Sequence, residues 1–210
     1  YYADPEGKYL PWSKAIVDPL MAENTQAIGQ FGELSFELTF TEAGHTVSPW
    51  HDLSLRPSGY SVSAEEFNFV VEIPMFQTAK MEVNKELAYN PITQDKNKDG
   101  SPRYYTYGTP FFNYGLLPQT WEDPGVCTNG ACGDNDPLDV MEIGSRPFKM
   151  GEVRAVKVLG DLELIDQGEL DHKIIVIDAA DPLADRLESA ADLPRVMPGV
   201  LEKLVDWLKN

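Results

Sequence analysis

The sequence predicts an α+β domain that is mainly β, a barrel or a sandwich followed by a C-terminal helix. Two observations carry this: short runs rich in Val, Ile and Phe recur between turn residues, and the apolar spacing changes from two to about 3.6 near the chain end. Residues 1–32 are rich in Pro, Gly, Ala and polar residues without either period, and are expected to form an N-terminal arm to a domain spanning 33–210. From Leu34 onward the expected strands are Phe36–Phe40, Phe67–Ile73, Ala79–Val83, Asp139–Ile143, Glu152–Leu159, Glu163–Ile165 and Lys173–Asp178. In the second run, alternation places Phe69, Val71 and Ile73 on one face and Asn68, Val70 and Glu72 on the other. Val200, Leu201, Leu204, Val205 and Leu208 then fall at helical spacing behind Pro198-Gly199.

The formal net charge of -17 repels phosphate backbones and anionic headgroups, which argues against nucleic acid and membrane-surface partners. No run approaches the roughly 20 apolar residues of a bilayer-spanning helix. The absence of an Asn-x-Ser/Thr acceptor and the presence of only two cysteines fit an intracellular compartment, either cytoplasm or an organelle matrix or stroma. The start at Tyr1 is compatible with removal of a transit peptide or with a missing segment. An anionic substrate could approach so acidic a chain only where bound cations reverse the local field.

Gly133-Asp134-Asn135-Asp136-Pro137-Leu138-Asp139 carries the strongest chemical signal. Pro137 keeps Asp136 extended, so Asp134 and Asp136 project to one side. Two carboxylates about 4 Å apart repel by about 4 kcal/mol at an effective dielectric of about 20, a cost that a cation removes. An all-oxygen set suits Mg²⁺, Mn²⁺ or Ca²⁺ better than zinc, and His45, His51 and His172 form no zinc spacing with the cysteines. The bland alternative is a solvated acidic turn.

Two further groups are read in the same way. Asp166 and Asp171 flank the turn Asp166-Gln167-Gly168-Glu169, with Lys173 on the face of Asp171, and Lys80 and Glu82 point together while Met81 and Val83 face away. Each pattern alone also describes a half-exposed strand. Asp95-Lys96-Asn97-Lys98-Asp99-Gly100 opens like a calcium loop, but the twelfth position is Thr106 and no amphipathic helices flank it. Cys127 and Cys132 precede Asp134 closely enough to bridge if the loop turns, which would pin that loop; the sequence leaves both pairing and free thiols open.

From about Val47 to Lys209 the chain resembles the soluble inorganic pyrophosphatases of the eukaryotic type. The resemblance rests on ordered blocks: Val47-Ser48-Pro49-Trp50-His51-Asp52, Phe67 to Pro74, Ala79 to Val83, Asn113-Tyr114-Gly115, Pro118-Gln119-Thr120-Trp121-Glu122-Asp123-Pro124, Gly133 to Gly144 and Ile165 to Asp178. It implies a five-stranded OB-type barrel with flanking helices, acting on pyrophosphate with three or four Mg²⁺ ions. By position, Glu82, Asp134, Asp139, Asp166 and Asp171 resemble the metal ligands, and Asp136 the group that holds the attacking water. Lys80, Arg103, Tyr114 and Lys173 match the phosphate-binding groups, and Glu72 and Asp95 match further acidic positions.

Two departures accompany the resemblance. Pro110 stands where many members carry a phosphate-site tyrosine, for which Tyr107 is the candidate substitute, and the sequence stops at Asn210, just before a Tyr-Lys pair that the family uses on phosphate. The C-terminal part of the domain is therefore expected to be incomplete, with the natural polypeptide continuing. The runner-up function is a catalytically weakened, pyrophosphatase-like scaffold or assembly subunit. A homodimer or membership of a larger assembly is compatible with either reading.

Overall fold

The computed structural model describes residues 19–59 and 65–209; most of the expected arm lies outside them. Five strands close a ring: Asn113–Leu116 (β7) joins Asp139–Glu142 (β10) to Glu66–Ile73 (β4), which pairs with Val153–Asp166 (β11), and β11 pairs with Glu169–Asp178 (β12). The ring is completed by parallel pairing of β12 with β10, in the register Asp139↔Lys173 to Glu142↔Val176; the other four pairings are antiparallel. This is the five-stranded barrel that the family resemblance implies.

A second sheet packs beside it. Its order is Thr25–Ile28 (β1), Glu37–Glu42 (β2), Ile92–Gln94 (β6) and Met81–Val83 (β5), and His45–Val47 (β3) pairs with β2. Residues 19–32, assigned to the arm by their lack of periodicity, hold β1 and the buried Phe31. The pattern TQAI offers no alternation, and the pairing of β1 with β2 from Thr25↔Phe40 to Ile28↔Glu37 supplies the structure. Phe36, Leu38, Phe40, Met81 and Ile92 from this region meet Val70, Ile73, Met141 and Ile175 from the barrel in the larger core. A smaller cluster on the opposite face of the barrel strands contains Phe69, Val71, Val140, Val156 and Val176.

The division of β4 between these cores corrects the sequence expectation. Ile73 packs with Val70 and not with Phe69 and Val71. The register shifts between Val71 and Ile73, whose partners are the adjacent Gly115 and Tyr114, so two residues face one and the alternation reverses at Glu72. The runs expected at 152–159 and 163–165 form one long strand, β11, with an irregularity between Val158 and Gly160.

Buried polar groups hold β7 and β10 in place. Asn113 is fully buried; its Oδ1 accepts from the N–H groups of Met75 and Phe148 at 2.9 and 3.0 Å, and its Nδ2 donates to Glu142 at 2.8 Å and to the Arg146 carbonyl at 2.9 Å. Every donor and acceptor of that amide is thereby used. On the adjoining strand the buried Asp178 accepts from Arg146 at 2.9 Å, Arg154 at 2.7 Å and the Ala180 N–H at 3.1 Å. Burial alone would raise its pKa, but the Arg146, Ala180 and Arg154 hydrogen bonds outweigh it and hold the carboxyl below its ordinary value. The sign follows: this contribution to stability is present above the unfolded-state value and is lost as pH falls through the depressed folded value. Asp178→Ala is expected to destabilise the fold by about 2 kcal/mol at neutral pH, read by urea denaturation, because it removes charge-assisted hydrogen bonds to the half-exposed Arg146 and to Arg154, which keeps only Glu152 at 3.5 Å. A loss below about 0.5 kcal/mol, the size of an ordinary surface change, would refute this role.

Behind β12 come two 3-10 turns, Ala184–Arg186 and Ala190–Asp192, then the short helix Leu193–Val196 (α1) and the expected C-terminal helix, Val200–Leu208 (α2). Gly199 starts α2 with φ 83°, a left-handed conformation that glycine adopts without steric cost. The face bearing Leu204 and Trp207 seats on the larger core, and Trp207 meets Tyr105 and Phe112 edge-on at 4.9 and 5.0 Å between ring centroids. Among the described residues no helix is long and apolar enough to cross a membrane.

Cys127 and Cys132 are joined in a disulfide, which settles the pairing that the sequence left open. They face each other across a hairpin of Cys127–Thr128 (β8) and Ala131–Gly133 (β9), whose turn residues Asn129 and Gly130 have φ of 53° and 89°. Asn-Gly is the dipeptide that favours this mirror-image turn, and the turn sets the register that brings the cysteines opposite one another. Parallel pairing of Gly133 with Leu170 then attaches the hairpin to β12.

Candidate active site

Asp134 follows β9 directly. The backbone turns at Asn135, with φ 69°, and Asp134 Oδ1 accepts the Asp136 N–H at 2.9 Å, so both side chains reach the same cavity. The neighbouring loop clamps this turn from behind: the Glu122 N–H donates to the Asp136 carbonyl at 2.8 Å, and the Asn135 N–H donates to the Glu122 carbonyl at 2.9 Å. Pro137 ends the turn and Asp139 opens β10.

On β12, Asp171 and Lys173 share a face as their i, i+2 spacing requires. Lys173 is 7% exposed; its ammonium lies 2.5 Å from Asp139 Oδ2 and also bonds Asp171 Oδ1. The parallel register puts Asp139 beside Lys173, so barrel closure creates the triad. Burial works against the charge on Lys173, but Asp139 and Asp171 outweigh it and raise its pKa above the ordinary lysine value. The same balance keeps Lys80 charged beside Glu82, 2.9 Å away at the entry to β5.

Glu72, at the β4 bulge, is 2% exposed and accepts the Val83 N–H at 2.6 Å, tying the barrel to the second sheet. Burial and then Asp139 push its pKa well up. Arg103 bonds Asp95 at 3.0 Å. Tyr114 is buried at the cavity wall, its ring centroid 5.9 Å from the Lys173 ammonium. Asp166 ends β11 at the Gln167-Gly168 turn, where both φ values are positive.

These positions converge. Glu72, Lys80, Glu82, Arg103, Tyr114, Asp134, Asp136, Asp139, Asp166, Asp171 and Lys173 all line one cavity of about 790 Å³, between the barrel and the second sheet. Asp95 stands behind the wall and reaches it through Arg103. Tyr107, the candidate substitute for the missing tyrosine, also lines the cavity, with its hydroxyl 3.1 Å from Asp206 on α2. Pro110 is buried in the loop below, its carbonyl accepting the Phe76 N–H at 2.8 Å.

Two site groups escaped the sequence reading. Lys85 reaches Asp136 Oδ1 at 2.8 Å from the loop after β5. Glu122, Asp134 and Asp171 each offer a carboxylate oxygen, all within 4.8 Å of one another. Nothing in the spacing of Glu122 marks it, since it lies on a loop twelve positions before Asp134 and no periodic element joins them. Burial first, then neighbouring carboxylates, push Asp134 up to about 6 and Glu122 up to about 8, against opposing backbone hydrogen bonds. An all-oxygen set under this repulsion fits a hard divalent cation, which relieves it.

The chain matches the inorganic pyrophosphatase family over residues 69–210. An inorganic pyrophosphatase of Eremothecium gossypii is 45% identical over 195 residues, covering 90% of this chain and 67% of that protein. Among solved structures, a type I inorganic pyrophosphatase from Toxoplasma gondii superposes with TM-score 0.82 at 44% identity, covering 88% of this chain and 81% of that one. An N-terminally truncated vacuolar soluble pyrophosphatase from Trypanosoma cruzi, in complex with PPi, superposes with TM-score 0.79 at 39% identity, over 95% and 82% of the two chains. Agreement in sequence and in fold over most of the chain leaves one assignment: it belongs to the inorganic pyrophosphatase family.

Proposed function

We propose that this chain hydrolyses inorganic pyrophosphate to two phosphates, using three or four Mg²⁺ ions. The observation that carries the reading is the convergence of Lys80, Arg103 and Lys173 with six carboxylates, Glu82, Asp134, Asp136, Asp139, Asp166 and Asp171, on one cavity of an otherwise acidic molecule. A related fold was solved with PPi bound, which supports pyrophosphate as the substrate.

Glu82, Asp134, Asp139, Asp166 and Asp171 would hold the cations. When bound, divalent cations neutralise phosphoryl oxygens and bring the pKa of water toward neutrality. Asp136 accepts a proton from the water that attacks one phosphorus, and the bridging oxygen departs with the second phosphate. Its carboxylate suits the task because the loop is held by backbone bonds and the side chain is left facing the cavity. Lys80, Arg103 and Lys173 offset the charge that spreads over the phosphoryl oxygens as the bond breaks. Tyr114 offers its hydroxyl to a phosphate oxygen. Glu72 positions β5 through Val83, and Asp95 orients Arg103.

Phosphate release from pyrophosphate provides the test. Release is expected with millimolar Mg²⁺ and is expected to vanish with excess chelator; no release at any Mg²⁺ concentration would overturn the reading.

A further inference from the structure

We propose that Glu122 is a further residue of the metal centre, presenting one carboxylate oxygen to the divalent cation between Asp134 and Asp171. This rests on the reading of the cavity as a divalent-cation site and adds a side chain from a different loop.

The carboxylate is used unequally. Glu122 is 6% exposed, and its Oε1 accepts the His172 N–H at 2.9 Å, between Asp171 and Lys173 in sequence. Its Oε2 is buried and has no hydrogen-bond partner among the described residues. An acceptor withdrawn from water and left unmatched is costly, and such groups are rare in folded proteins. Here the unmatched oxygen belongs to the side chain that shares a 4.8 Å cluster with Asp134 and Asp171. One divalent cation would satisfy that oxygen and cancel the repulsion among the three carboxylates.

The placement is determined by backbone contacts. Glu122 bonds Asp136 and Asn135 through its main chain, and Gly133 approaches so closely that a Cβ there would lie 2.5 Å from the Glu122 carbonyl. The carboxylate is therefore fixed relative to Asp134 on one side and to β12 on the other. A side chain with these restraints can serve as a rigid ligand or as the fixed acceptor for a cation-bound water.

Mn²⁺ is the probe, with free ion measured by electron paramagnetic resonance on the full chain. Glu122→Gln retains the acceptor for the His172 N–H and replaces the other carboxylate oxygen with an amide nitrogen that cannot ligate a cation. It is expected to weaken the tightest Mn²⁺ site by about tenfold or more, the size of effect seen when a group supporting a metal ligand is lost. The variant's upward shift in melting temperature on adding Mn²⁺ should also be smaller than the parent's. If Glu122→Gln does not fold, Glu122→Asp, which keeps the charge and withdraws the oxygen, should also bind Mn²⁺ more weakly. Parental Mn²⁺ affinity in either folded variant overturns the proposal and leaves Glu122 as the structural acceptor of the His172 N–H. A parent chain that binds no Mn²⁺ overturns the cation site itself, a separate result.

Discussion

Replacing Asp136 by Asn is expected to lower turnover of pyrophosphate by about 10²- to 10⁴-fold, the contribution of a positioned general base. The change should be nearly silent structurally. The turn at 134–137 is held by the Asp136 N–H on Asp134 and by the Asp136 carbonyl on Glu122, both main-chain groups that Asn retains. The side chain is 42% exposed and its direct partner is Lys85, so no buried charge is stranded. Mn²⁺ affinity should change far less than the rate, and the melting temperature should stay within a few degrees of the parent. Steady-state phosphate release at saturating Mg²⁺ and pyrophosphate checks the rate; a kcat within threefold of the parent sinks the assignment of Asp136.

Lys173→Met should combine a catalytic with a structural loss. The ammonium is buried between Asp139 and Asp171, so its removal leaves two close carboxylates facing each other without a cation from the protein. In chelator, breaking such a buried arrangement is expected to cost about 3–5 kcal/mol of stability. Mg²⁺ should recover part of this, because a ligand that binds only the folded state stabilises it in proportion to the logarithm of its concentration over Kd. Activity should not recover with it. The rate is expected to remain down by about 10²- to 10³-fold, as when one preorganised donor to a developing charge is removed. Urea denaturation in chelator and in Mg²⁺, paired with kcat, separates the two effects. Parental stability in chelator would mean that Lys173 does not hold Asp139 and Asp171, and parental kcat would remove it from the phosphate-binding set.

The two experiments differ for a physical reason rooted in burial. Asp136 is bound to its loop by main-chain atoms and can be changed without disturbing the barrel. Lys173 lies where β10 and β12 pair, and the ammonium proposed to bind phosphate also joins Asp139 and Asp171 in the barrel wall.

Local patterns were legible because they follow from covalent backbone geometry. Successive strand residues point to opposite faces, so Lys80 with Glu82, and Asp171 with Lys173, had to project together wherever their strands went. The apolar spacing of Val200, Leu201, Leu204 and Leu208 likewise required a helix with one buried face, and α2 has it. Even the disulfide hairpin had a local mark in Asn129-Gly130, although the cysteine spacing alone could not show the register.

Where local geometry is interrupted, the pattern misleads. The bulge at Glu72 reverses the faces of β4, and Ile73 changes core as a result. Strand β7 went unseen because Asn113, Tyr114 and Gly115 do not read as an alternating apolar run; four hydrogen bonds from Asn113 place it. Such compensation depends on partners far along the chain.

By itself the sequence determined that this protein is mainly β, ends in an amphipathic helix, carries its carboxylates and lysines in same-face pairs, and shares the ordered blocks of one family. Only the tertiary structure decided that β10 closes on β12, that Asp139 thereby meets Lys173, that Cys127 pairs with Cys132, and that Glu122 stands within 4.8 Å of Asp134 and Asp171. Side-chain alternation is a property of a few consecutive residues. Which strands close a ring depends instead on the balance between chain-ordering entropy and the burial gained across the whole core, so the contacts that complete the site exist only once the barrel has formed.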